Sequence, residues 1–147
     1  MKEFIKVLGK MNLKKYRLVD GILRLEDTFY SANTVVDVGR ERICDLLGGA
    51  SAAYITQAGV GTDNTPPTVA DTGLTGQFLT TVDTVTYPTT TSVQFDFDID
   101  LGDYNGNTIR EWGLFTSDSV LFARILKVAI DKESDIYLTG EWTITLV

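Results

Sequence analysis

The chain has 147 residues, 44% hydrophobic and 22% charged, the balance of one folded domain with a core of its own and not of a disordered segment. A net charge of −7 and an isoelectric point near 4.5 argue against nucleic acid as a partner, and the absence of histidine removes the usual general base together with Ser–His, Cys–His and Cys/His-zinc chemistry. The single cysteine, Cys44, permits no internal disulfide, and no apolar run approaches the ~20 residues of a membrane helix. The N-terminus lacks a signal peptide's apolar run and cleavage site, so we expect synthesis in the cytoplasm and no membrane partner.

The first fifteen residues carry Lys2, Lys6, Lys10, Lys14 and Lys15 against Glu3, a charge of +4 on a remainder that carries −11. We expect residues 1–12 to form an extended arm that docks on a neighbouring subunit, with Lys2, Phe4, Ile5, Lys6, Val7, Leu8 and Lys10 as the contacting side chains. The body then spans 13–147. Leu13–Val19 and Ile22–Glu26 flank Asp20-Gly21, the dipeptide that two-residue hairpins favour because both positions need positive φ. Thr34-Val35-Val36-Asp37 reads as a short capping box opening a helix. Ile43, Leu46 and Leu47 make its apolar stripe, Cys44 lies beside the stripe as a small buried side chain, and Gly48-Gly49 stops it.

A strand over Ala53–Ala58 runs into Gly59–Gly73, the longest stretch of turn chemistry in the chain. No Lys-Ser/Thr closes it and no helix pattern follows, so it is not a phosphate loop. We expect a contact surface there, with Thr62, Asn64, Pro66 and Pro67 as its contacts. Leu79–Tyr87 and Ser92–Leu101 form the next hairpin. In the latter Val93, Phe95, Phe97, Ile99 and Leu101 alternate strictly with polar residues. Asp96, Asp98, Asp100, Asp103, Asn105 and Asn107 superficially suggest a calcium loop, yet Leu101 stands where the sharp-turn glycine belongs, and polar-out alternation accounts for the aspartates. No metal or cofactor is expected.

Ile109–Phe115 and Val120–Ile130 join at Thr116-Ser117-Asp118-Ser119 and carry apolar residues on both faces, unlike a strand that meets one core. Something must cover the second face: a helix, the arm or another subunit. Trp112, Leu114, Phe115, Phe122 and Ile125 are therefore the expected oligomer interface. Glu111 and Arg124 can pair across this hairpin as a strut, which would let the glutamate be buried. A last alternating strand, Asp135–Val147, closes the sequence, and we expect no fibre shaft after it. The whole reads as a mainly β protein, an antiparallel β-sandwich of seven to nine strands with one short helix and an N-terminal arm.

Several runs together carry a family likeness. They are Asn33–Gly39 leading into Leu46-Leu47-Gly48-Gly49, then Gly59-Val60-Gly61-Thr62, Pro66-Pro67-Thr68 and Asp71-Thr72-Gly73-Leu74. Ile109–Phe115, Leu121-Phe122-Ala123-Arg124, Ile130-Asp131-Lys132 and Trp142-Thr143-Ile144 follow. In this order, over residues 30–147, the chain resembles bacteriophage virion structural proteins of the capsid decoration and tail-fibre type. Trp112 departs from the pattern by standing where a small aliphatic residue is usual. The resemblance implies a non-enzymatic homo-oligomer, generally a trimer, that is located in the virion and is partnered by the major capsid protein or other virion proteins. Its first reading is a capsid decoration, or cement, protein; the alternative is a tail-fibre, baseplate or host-adhesion component. A carbohydrate-binding module, or a hydrolase using Asp96 and Asp98, is disfavoured. Those carboxylates share one strand face too closely for an inverting pair, and no aromatic platform for a sugar is evident in the sequence.

Overall fold

The computed structural model describes residues 3–147, among which are ten strands and one helix. β1 (Val7–Val19) and β2 (Ile22–Ala32) form the expected hairpin, and Asp20 (φ 51°) and Gly21 (φ 76°) both adopt the left-handed conformation its turn requires. β3 (Thr34–Val35) leads into α1 (Asp37–Gly48), followed by β4 (Ile55–Gly61), β5 (Phe78–Thr81) and β6 (Thr84–Thr86). β7 (Ser92–Ile99), β8 (Asn107–Thr116), β9 (Leu121–Lys132) and β10 (Ile136–Leu146) complete the chain. Two antiparallel five-stranded sheets result: sheet A in the order β2-β1-β10-β7-β6 and sheet B in the order β3-β9-β8-β4-β5.

The sheets pack face to face as a sandwich. Alternation places Met11 and Leu13 of β1, Phe95, Phe97 and Ile99 of β7, and Leu138 and Trp142 of β10 on the inner face of sheet A. Trp112 and Leu114 of β8 and Ala123 and Ile125 of β9 meet them from sheet B. Ile109 joins the same core although its parity opposes that of Trp112. A bulge between Ile109 and Glu111 resets the alternation, so Ile109 does not face away as strict alternation would place it.

Three other expectations change. The arm of residues 1–12 is much shorter, because Val7–Asn12 are strand residues paired with β10 on one side and, from Lys10, with β2 on the other. The segment Leu79–Tyr87 is two strands: Phe78–Thr81 pairs with β4 in sheet B, the chain crosses at Val82-Asp83, and Thr84–Thr86 pairs with β7 in sheet A, which raises the strand number above the seven to nine expected. α1 begins without a capping box. Thr34 is drawn into β3 opposite Arg124, Val36 occupies the N-cap with no side-chain bond, and its N–H donates instead to the Phe122 carbonyl at 3.2 Å. Gly49 ends the helix in the left-handed conformation, as expected. The helix rests on sheet B through its first turn, where Gly39 lies so close to the Phe122 backbone that any side chain would collide. Its later turns are consequently lifted off: Ile43 is half-buried, Leu46 and Leu47 are exposed, and Cys44, expected to be buried, is exposed.

Candidate functional site

Behind sheet B lies a buried ionic cluster. Glu111 of β8 and Arg124 of β9 project from the outer face, each almost wholly buried. Arg124 Nε and Nη2 donate to Glu111 Oε2 at 3.0 and 2.6 Å, and Nη1 donates to Asp71 Oδ2 at 3.1 Å. Glu111 Oε1 accepts the Thr75 N–H at 2.6 Å. Asp71 also accepts from the Thr68 N–H and hydroxyl. Burial alone would raise the Asp71 pKa, but those two bonds and the Arg124 charge outweigh it and hold the carboxyl below its ordinary value. Every charged atom here is directed at another part of the same chain, so the cluster is a strut that ties the 62–77 segment to the sheet.

That segment and α1 provide the cover that the two-faced hairpin needs. Phe115 and Leu121 on the outer face pack with Val36, Val38, Leu74 and Leu79. The expected oligomer interface is thereby corrected. Trp112, Leu114, Phe122 and Ile125 lie in the core between the sheets, Phe115 lies under the helix and loop, and none is more than 6% exposed. Thr62 and Pro67 are half-buried, and only Asn64 and Pro66 of the four proposed loop contacts stand exposed. The loop is ordered from within: Asp63 binds the Thr65 N–H and hydroxyl, and the Tyr104 hydroxyl donates to the Gly76 carbonyl at 2.6 Å.

The aspartate-rich turn after β7 receives its cation from the protein. Lys132, fully buried, donates to Asn105 Oδ1 at 2.8 Å, to the Glu133 carbonyl at 3.0 Å and to the Leu101 carbonyl at 3.4 Å. Among the described residues no group of three or more carboxylate or thiol side chains is arranged to hold a metal. Asp98 accepts the Tyr137 hydroxyl at 2.8 Å. Burial, together with that bond, pushes the phenol up to about 12.

An open apolar trough lies between these elements. At the end of the sandwich beside α1 the two sheets part, and two adjoining recesses of about 370 and 320 Å³ share Ile55, Tyr87, Val93 and Phe122. The first is walled by Leu46, Tyr54 and Val85, the second by Ile43, Ile144 and Leu146. Tyr54 and Tyr87 are mostly exposed, an unusual surface for aromatic rings with no neighbour across them. The second recess reaches Val7, and a third, lined by Ile5, Val7, Arg40 and Ile43, continues it to the arm.

Of the predicted arm residues, Lys2 lies outside the described residues. Phe4 and Ile5 are exposed by 79% and 76%. Lys6 exchanges two backbone bonds with Val147, at 2.7 and 3.0 Å. Val7 turns into the trough, and Leu8 and Lys10 stand on the outer face of sheet A, alternating with Val7 and Met11. The structure thus joins the arm to the trough but not to the Asn64–Pro66 loop tip, which belongs to sheet B. Sequence reasoning missed the trough because Ile43, Tyr54, Tyr87 and Ile144 are far apart in the chain; exposed tyrosines at strand ends are the only local signal. No family model matches the chain, and no curated protein or solved structure is significantly similar to it.

Proposed function

We propose that the chain is a non-catalytic structural subunit of a bacteriophage virion, a capsid decoration protein that assembles as an oligomer and holds the expanded head shell. The observation that carries this reading is the pairing, on one molecule, of an exposed apolar arm with an unfilled apolar trough. Phe4 and Ile5 leave the body at the rim of the trough. A second copy's arm is the occupant assigned to it, its lysines suited to the acidic body. Repeated head to tail, such a contact closes a ring when the rotation permits, and three is the number that the sequence resemblance implies. Contacts made only with the expanded shell would then stabilise that state by mass action.

Immunogold electron microscopy of whole phage particles, with antibody against this chain, tests the location. Label over the head is the expected result. Label confined to the tail would move the chain to the baseplate or adhesion role, and absence of label from intact particles would remove it from the virion.

A further inference from the structure

The outer face of sheet A carries a second hollow, of about 440 Å³, within the roughly 300–1,000 Å³ typical of small-molecule sites. One side is Tyr30 on edge strand β2, its ring 74% exposed. The other is the Pro88–Ser92 loop between β6 and β7. The strand register builds the floor. Tyr30, Asn12 and Glu141 stand in one row across β2, β1 and β10, and Lys10, Thr143 and Gln94 stand in the next across β1, β10 and β7. We infer that this hollow is a saccharide-binding subsite in which a sugar ring stacks on Tyr30 and its hydroxyls bond the two rows beneath.

The chemistry of the lining selects this ligand class. The floor holds carboxamides, hydroxyls, one ammonium and one carboxylate, so it offers both donors and acceptors and no net charge. Gln94 already bonds Asp96 and Thr143, and Ser92 bonds Thr89, but part of the hydrogen-bonding capacity is unspent. Among the described residues Asn12 Oδ1 is shielded from solvent and accepts no bond, and Lys10 and Glu141 make no side-chain bond or ion pair. Lys10 and Glu141 stand exposed at the hollow and are the unpaired donor and acceptor that a ligand hydroxyl reaches. A phosphate ligand would need clustered cations, and this lining has Lys10 alone, with Glu141 in the neighbouring row. A sugar presents hydroxyls that donate and accept around a ring with an apolar C–H face, which is what a polar floor beside one exposed aromatic ring accommodates. The aromatic platform, invisible in the sequence, is Tyr30 placed by its pairing with Asn12.

The test needs no virion and is independent of the structural role proposed above. The purified full chain is screened on an immobilised array of bacterial surface oligosaccharides, and the best soluble oligosaccharide is titrated calorimetrically against wild type, Tyr30→Ala, Tyr30→Phe and Gln94→Ala. We expect binding that weakens about tenfold in Tyr30→Ala, is kept in Tyr30→Phe, and weakens again in Gln94→Ala. Tyr30 is exposed on an edge strand, so its truncation leaves the core untouched, and an unchanged thermal transition verifies that. No bound glycan on the array overturns the assignment, as does binding that Tyr30→Ala and Gln94→Ala leave unchanged.

Discussion

Arg124 places both Nε and Nη2 on a single oxygen of Glu111, leaving the other oxygen of that carboxylate for the Thr75 amide. The pair is therefore the hinge pin of a three-part joint between β8, β9 and the 62–77 segment. Removing either partner strands a buried charge: we expect Glu111→Ala or Arg124→Ala to cost about 3–5 kcal/mol in urea unfolding. The apolar pair Glu111→Leu with Arg124→Met should cost much less than the two single changes combined. In either single variant the Thr75 amide should exchange faster than in wild type. Additive costs in the double-mutant cycle would refute the joint.

Acid should loosen the β1–β2 hairpin before it unfolds the core. Arg17 and Lys15 bond the Glu26 carboxylate and hold it at about 2, below its ordinary 4.5. A depressed carboxylate contributes stability that is full above the unfolded value and is lost as pH falls, here between about 4.5 and 2. Glu26 is well exposed, so solvent screening limits the effect to less than about 1 kcal/mol. Hairpin amide exchange measured from pH 5 to 2 should rise through this window, and Glu26→Gln should flatten the rise.

Gly140 in β10 sits opposite Phe97 of β7, whose ring lies over the glycine so that an added Cβ would overlap it. Gly140→Ala should force Phe97 out of place and cost about 1–3 kcal/mol, read as a drop in Tm of several degrees. A further Phe97→Leu change should recover part of that loss; if it deepens the loss additively, the overlap is not its cause.

Much of this fold was legible because local chemistry and tertiary demand agree. Asp20-Gly21 can do little but turn, and Phe95, Phe97 and Ile99 alternate against aspartates that end at the surface. The Glu111–Arg124 strut followed from the cost of burying either charge alone. Where a distant element decides, the local signal misleads. Thr34 looks like a cap until β9 captures it, Leu46 and Leu47 look like a buried stripe until Gly39 pins only the first turn, and Val82-Asp83 conceals a change of sheet within what reads as one strand. The surplus of apolar residues on β8 and β9 was real, but it was met by α1 and the 62–77 segment of the same chain. The trough was illegible, since it is made by the separation of two sheets.

Truncation distinguishes arm from strand. Deleting residues 1–5 should leave the body folded, with Tm lowered only by the lost association, and should give a monomer in light scattering where the full chain gives an oligomer. Deleting residues 1–12 should unfold the chain, because it removes half of β1 together with Met11, which is 1% exposed. An oligomer that survives the shorter deletion would refute the arm-to-trough contact.

The adjacency of β1 and β10 also determines how the molecule bears force. Lys6 and Val147 are bonded neighbours, so a pull between them would open the β1–β10 ladder one rung at a time, like a zip. A pull entering at Lys6 and leaving at Asp135, the opposite end of β10, instead slides β1 along β10 and loads all the rungs between them at once. Since forced unfolding follows the rate of rupture and not the equilibrium stability, the same sandwich is weak along one line and strong along the other. A chain held by its arm would resist tension best if its other hold were at Asp135, beyond the eleven paired positions of that ladder.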